Sequence, residues 1–417
     1  MKTKAIRMYG ANDLRLEEFE LPSLGENEIL MRVVTDGLCS STLKAVKLGE
    51  GHKRVPSDIG EKPVIIGHEI CGEIVKVGNK IAKNWSAGQK VVLQPNLKLE
   101  NAHAPGYSYQ FIGGEATYVI VSDDVISRDC LIPYETDSFF VGSLVESLSC
   151  VYRAYKAFYH TDKETLEITS GVKKGGRLAI LGGAGPMGMA AVEFAKKCLD
   201  VSEIVVVDVS EERIDFAKRR GALTEAETDS CKVTYLYTAA GKSVKEKLVE
   251  MSLGGFDDVL VMSHKSELFI LAQNICRRDG CINFFADPAQ KDAYAQINLY
   301  KLHHNGMHIV GTDGSTPSDS RAVMKLIDDN VINPAIFVSH IVGLNECIEA
   351  TMELEKNTGA KKICYTGIDI PYIAVEELEF WGESDPHYSA LAEIVKRNGG
   401  LWCVEAEKYL LENAPRV

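Results

Sequence analysis

The stretch that most constrains this chain is Gly183-Ala184-Gly185-Pro186-Met187-Gly188, set between the apolar run Leu178 to Leu181 and a helical pattern over Pro186 to Leu199. A glycine-rich turn alone is common. Here a strand precedes it, a helix opens from it, and Asp208 closes the next apolar run 20 residues after Gly188. Gly183 permits the tight turn, Gly185 lets backbone approach a pyrophosphate, and Gly188 lets helix and strand pack. Pro186 and Met187 open the helix, whose N-terminus offers unpaired N–H groups to phosphate. Asp208 is placed to accept both adenosine ribose hydroxyls and to repel a 2′-phosphate. Glu211 and Glu212 add to that repulsion and Arg213 is the nearest cation, so the pattern favours NAD(H) over NADP(H). The bland alternative is a tight strand–helix turn with no ligand.

The surroundings agree with an α/β protein. Residues 177–314 alternate apolar runs with amphipathic helices, the rhythm of a doubly wound parallel sheet covered on both faces. Residues 1–150 differ: short Val- and Ile-rich runs such as Ile29 to Val34, Glu73 to Val77 and Ala116 to Val121 lie between glycines, predicting an irregular β-barrel. In the last 50 residues Tyr388, Leu391, Ala392 and Val395 fall at helical spacing, as do Trp402, Ala406, Tyr409 and Leu410.

The charge balance excludes other classes. With 59 acidic against 46 basic residues the net charge is −13, and no long basic run is present, so neither nucleic acid nor a membrane surface is an expected partner. No apolar run approaches the roughly 18 residues of a membrane span. Eleven scattered cysteines do not suggest a secreted disulfide framework, and the expected location is cytoplasmic.

Three segments ahead of the glycine turn carry residues suited to zinc: Cys39 in Gly37 to Ser41, His68 with Glu69 after Gly67, and Glu146 in Leu144 to Cys150. A thiolate, an imidazole and a carboxylate make a set for tetrahedral zinc with one position open. Taken singly, each reads better as a buried free cysteine, a turn histidine or a surface glutamate. His68 and Glu69 are adjacent, so on a regular strand they face opposite sides and cannot both ligate without a bend.

With the coenzyme motif, these segments resemble the zinc-dependent medium-chain dehydrogenase/reductase family. Gly37 to Ser41 resembles its first-ligand loop, and Gly67-His68-Glu69-Ile70-Cys71-Gly72-Glu73 its second-ligand signature. The resemblance implies a GroES-like β-barrel catalytic domain over 1–152, a Rossmann NAD-binding domain over 153–331, and a return to the catalytic domain over 332–417, the active site lying in the cleft. It implies one catalytic zinc, with Cys39, His68, Glu69 and Glu146 at the metal and Ser41 as hydroxyl relay. The family's usual Asp after the Ser/Thr of the first loop is Thr42 here, and a common His two further on is Lys44. Residues 94–115 lack the four cysteines that often hold a second, structural zinc.

The tail from Ser384 to Glu407 resembles the extension of the sorbose-1-phosphate reductases, as do Ile282 to Ala286 and Leu299 to Asn305. That implies NAD(H)-linked reduction of a ketose phosphate, L-sorbose 1-phosphate to D-glucitol 6-phosphate. A dianionic substrate needs cations, for which Lys44, Lys53 and Arg54 are the candidates, with His303 and His304 secondary. Two rivals stand: a dehydrogenase of another polyol or polyol phosphate such as galactitol 1-phosphate, and a non-catalytic NAD(H)-binding redox sensor. A homo-oligomer, dimer or tetramer, is the assembly the family implies.

Overall fold

The computed structural model describes residues 1–162, 164–222, 231–238, 246, 248, 251, 254–288, 290–356 and 359–417. The chain divides into two compact units. One comprises Met1–Ser147, Ser315–Asp328 and Pro334–Val417, and the other Leu148–Gly314 and Asp329–Asn333.

The first unit opens with β1 (Lys2–Gly10), β2 (Asp13–Glu20), β3 (Ile29–Leu38), β4 (Val64–Ile65), β5 (Ile70–Val77), β6 (Lys90–Leu93), β7 (Tyr118–Val121) and β8 (Leu131–Pro133). Strands β2, β1 and β4 make a three-stranded sheet, and β3 is the hub of a larger one, antiparallel to both β5 and β7. Its first half alternates, with Ile29, Met31 and Val33 buried and Leu30 and Arg32 half-buried. From Val33 to Leu38 every residue is buried, so the strand runs four residues beyond the expected Val34 and ends covered on both faces. A helix, α1 (Ser40–Leu48), follows at once. The all-β reading of residues 1–150 missed it, although Thr42, Leu43, Ala45 and Val46 are its buried face. Helices α2 (Asp123–Ile126) and α3 (Phe139–Ala157) come next, and the division between units falls inside α3.

After the end of α3 the second unit continues with the hairpin β9 (Tyr159–Thr161) and β10 (Ile168–Ser170). Its main sheet contains β11 (Gly176–Leu181), β12 (Val201–Asp208), β13 (Lys232–Tyr237), β14 (Phe256–Val261), β15 (Cys276–Phe284) and β16 (His308–Gly311). All neighbours are parallel, in the order β13-β12-β11-β14-β15-β16. Leu178 to Leu181 and Ile204 to Val207 are buried throughout, as central strands of a doubly wound sheet must be. The accompanying helices are α4 (Pro186–Cys198), α5 (Glu211–Ala222), α6 (Ser266–Ile275) and α7 (Leu299–His304). Strand order reverses between β11 and β14, the position at which such sheets receive ligands.

The remaining chain completes the first unit: α8 (Pro317–Asp328), β17 (Val338–Gly343), α9 (Cys347–Met352), β18 (Lys361–Tyr365), β19 (Ile373–Ala374), α10 (Leu378–Gly382), α11 (Pro386–Arg397) and α12 (Val404–Asn413). Strand β18 lies antiparallel to β3, with Lys362 opposite Leu38 and Tyr365 opposite Thr35. Helix α11 buries Tyr388, Leu391, Ala392 and Val395, the expected face. Trp402 is buried but precedes α12, which Cys403 caps, so it is not part of the helical stripe its spacing suggested. Among the described residues no helix is long and apolar enough to cross a membrane.

Candidate active site

Strand β3 passes into α1 at Cys39, which adopts an extended conformation as the N-cap residue and makes no side-chain capping bond. The second segment arrives through Gly67, whose φ of +87° favours glycine and where a Cβ would collide with Asp36 Oδ2. His68 then lies outside any regular element and Glu69 in a bend, before β5 begins at Ile70. That bend removes the alternation of a regular strand. The donor atoms of Cys39, His68 and Glu69 lie within 4.8 Å of one another, a sulfur, nitrogen and oxygen set suited to zinc. Gly37 makes room for it, since a Cβ there would collide with Glu69 Oε2.

The surroundings tune each donor. Thr42 Oγ1 is 3.0 Å from His68 Nδ1, which fixes the ring and leaves Nε2 on the side of Ser41 and Tyr107. Thr42, a departure from the family's usual Asp, thus serves as the ring's anchor. Burial holds the His68 imidazole below its ordinary range despite the charges of Glu146 and Glu69, so the ring is neutral, as a ligand must be. Glu69 is fully buried, and burial pushes its carboxyl up to about 7 against the pull of Lys361. The register of β18 on β3 brings in Lys361, whose ammonium donates to Glu69 Oε1. Burial works against that ammonium, but the charges of Glu69 and Cys39 outweigh it and hold it protonated. Glu69 Oε2 is buried without a hydrogen-bond partner, an acceptor suited to a cation. Glu146, half-buried on α3, is an electrostatic neighbour of His68, Tyr107 and Lys361.

A line of hydroxyls completes the arrangement. Tyr107 donates its O–H to Ser41 Oγ at 3.0 Å, and Ser41 Oγ lies 3.1 Å from Cys39 Sγ and 3.4 Å from His68 Nε2. The Tyr107 ring stacks on His52 at 5.7 Å, and the Arg54 guanidinium lies 5.1 Å from its centroid. Burial, then the charges of Lys44, Arg54 and Lys53, lower His52 to about 4. Of the three phosphate candidates Arg54 thus stands against the site's own tyrosine. Lys44 is half-buried on α1 and Lys53 is exposed. His303 and His304 are exposed on α7 of the second unit. Reading the sequence missed Tyr107 and Lys361: each is brought in by a partner far away in the chain, and no local motif marks either.

In the second unit the glycine turn joins β11 to α4, with Gly185 as N-cap and Pro186 in the first turn. A Cβ on Gly188 would collide with the Gly183 carbonyl, whereas one on Gly185 would meet nothing within 4 Å. Gly188 is therefore needed for packing, and Gly185 leaves open space at the helix N-terminus, next to Met187. Asp208, at the end of β12, is buried and accepts the N–H groups of Ala184 and Ser210. Arg213 pairs with Asp208 Oδ1 at 2.9 Å.

Comparison with known proteins places this geometry. Residues 25–130 match the alcohol dehydrogenase GroES-like domain and residues 186–329 the zinc-binding dehydrogenase domain. The chain is 41% identical over 418 residues to the L-sorbose 1-phosphate reductase of Klebsiella pneumoniae, covering 100% of this chain and 98% of that protein. It is 36% identical over 413 residues to the mannitol-1-phosphate 5-dehydrogenase of Aliivibrio fischeri, covering 99% and 98%. Among solved structures, 2R,3R-butanediol dehydrogenase from Bacillus subtilis shares the fold, with a TM-score of 0.72 at 22% identity over 87% of this chain and 99% of that one. The chain therefore belongs to the zinc-dependent medium-chain dehydrogenase/reductase family, a GroES-like domain joined to a Rossmann-type domain, and is an oxidoreductase acting on alcohols.

Proposed function

We propose that the protein is a one-zinc, NAD(H)-dependent reductase of a ketose phosphate, with L-sorbose 1-phosphate as substrate and D-glucitol 6-phosphate as product. The convergence of Cys39, His68 and Glu69 carries the metal reading. Two full-length relatives named for hexose or hexitol phosphates support the substrate class. Cys39, His68 and Glu69 would supply the sulfur, nitrogen and oxygen donors, and Glu146, an electrostatic neighbour outside that group, a second carboxylate beside the metal. Zinc bound there supplies a Lewis acid for a carbonyl oxygen, and NADH the hydride. The absence of cysteine from residues 94–115 supports one metal per chain.

The chain's own groups do the rest. Ser41, oriented by the Tyr107 hydroxyl, carries a proton at Oγ for the alcohol oxygen. Thr42 holds the His68 ring, and Lys361 offsets the charge of Glu69. Asp208 stands at the end of β12 with Arg213 engaged on its carboxylate, which supports NAD(H) over NADP(H). Arg54, assisted by Lys44 and Lys53, binds the phosphate.

Zinc analysis of the purified protein, paired with NADH oxidation against L-sorbose 1-phosphate and free L-sorbose, tests this reading. About one zinc per chain and turnover of the phosphate alone are expected. Oxidation of mannitol 1-phosphate without reduction of L-sorbose 1-phosphate would transfer the assignment to the second relative's chemistry. Arg54→Ala is expected to raise KM for the phosphorylated ketose about 10- to 100-fold, the worth of one charge-assisted contact, with kcat little changed. An unchanged KM would remove Arg54 from the phosphate site.

A further inference from the structure

The C-terminal helix α12 reaches the start of the helix that carries Glu146. Glu407 is 1% exposed, and its carboxylate accepts the N–H of Phe139 at 2.8 Å and of Phe140 at 2.7 Å. These are the first residues of α3, whose opening N–H groups have no partners within the helix. A carboxylate there also meets the positive end of the helix dipole. Glu407 is itself held: Tyr365 donates its O–H to Oε1 at 3.0 Å, and Trp402 Nε1–H donates to the Tyr365 oxygen at 2.8 Å. Tyr365 and Trp402 are both fully buried.

The same point of α3 is tied to the strand that delivers Cys39. Thr35, four residues before Cys39, donates its hydroxyl to the Phe139 carbonyl at 2.8 Å, and Tyr365 sits opposite Thr35 in the pairing of β18 with β3. Phe139 is thus gripped at its N–H by the tail and at its carbonyl by β3. Glu146 follows Phe139 by seven residues, two helical turns on the same face, about 10 Å along the axis.

We propose that the C-terminal helix is a clamp on the metal centre, in which Glu407 is a positioning residue that fixes the start of α3 and, through it, Glu146 relative to Cys39. This rests on the reading of that centre as a zinc site. It gives the extension a role in the chemistry beyond covering the core.

The test is a double-mutant cycle on the full-length, zinc-loaded protein, reading zinc release to a colorimetric chelator at a temperature far below unfolding. Glu407→Gln keeps the shape of the side chain but offers an amide where two N–H groups need acceptors. It is expected to speed zinc release about tenfold, the scale of a lost outer contact at a metal site. On a Glu146→Gln background the same change is expected to add nothing, since its effect runs through Glu146. Tyr365→Phe, which removes the hydroxyl that orients Glu407 and accepts the Trp402 N–H, is expected to act in the same direction more weakly and serves if Glu407→Gln folds poorly. Glu405→Gln, on the exposed side of α12, is the control and is expected to leave release unchanged. Equal acceleration by Glu407→Gln with and without Glu146 would overturn the clamp and leave a stabilising contact. Wild-type protein that held no zinc would overturn the metal reading itself, a separate failure.

Discussion

Replacing Cys39 by serine is expected to abolish stoichiometric zinc binding and lower kcat/KM about a thousand-fold or more, while both units stay folded. The sulfur is the soft donor of the set, and a hydroxyl at the same position neither ionises near neutral pH nor matches the length of a zinc–sulfur bond. Losing a Lewis acid removes several kcal/mol of charge stabilisation, hence the scale of the effect. Cys39 contributes little to the core, being half-buried at a helix cap whose first bonds are made by its backbone carbonyl. Circular dichroism should therefore match the parent, and NADH binding at the second unit should persist. A Cys39→Ser protein that retained one zinc and near-parent turnover would sink the assignment.

The second large effect lies behind the site and concerns stability. Glu115 is fully buried, and burial pushes its carboxyl up to about 8 from an ordinary 4.5, with Cys347 and Thr351 pulling weakly the other way. Between those values the folded protein holds a proton that the unfolded chain has released. Stability therefore falls as pH rises from about 4.5 to about 8. Each pH unit between the two values is worth about 1.4 kcal/mol, so for a group this buried the swing is roughly 3–5 kcal/mol. Glu115→Gln keeps the neutral shape at every pH. It is expected to match the parent near pH 5 and exceed it at pH 8 by a few kcal/mol, roughly 5–15 °C in Tm. Thermal unfolding of both proteins at pH 5, 6.5 and 8 checks this, and parallel pH profiles would refute it. Asp36, raised by burial and then by the charges of Glu115 and Glu69, leaves a residual slope in the variant.

What was legible in the sequence was what the chain states locally. The turn from Gly183 to Gly188 declares its strand and helix within a dozen residues, and the alternation from residue 177 announces a parallel sheet. The residue types at Cys39, His68 and Glu69 were visible too, but their convergence was not. It depends on a bend at Gly67 and on the pairing of β3 with β5 and β18, which no short window encodes. Lys361 in particular looks like any surface lysine until the register of β18 buries it beside Glu69. Tyr107 sat in a glycine-rich loop that reads as a connector. Helix α1 was hidden because nine residues between two β-type stretches carry a weak periodicity. The tail's helices were legible from spacing, but Glu407 was not, because a buried carboxylate on a polar-rich helix has no sequence signature apart from its partner.

The pairing of β18 with β3 also bears on how the protein is made. Glu69 and Lys361 are 292 residues apart, with the whole second unit encoded between them. At about 5–20 residues per second, a ribosome takes roughly 15–60 s to travel from one to the other. During that interval the β18 side of β3, from Thr35 to Leu38, has no neighbour, and Glu69 has no counter-charge from Lys361. The second unit, contiguous apart from a five-residue return, is synthesised in full within that time. Completion of the first unit is thus a late, long-range closure, the kind of step that sets folding speed and exposes an unpaired strand to other chains. Chains that end before residue 361 would keep that edge open.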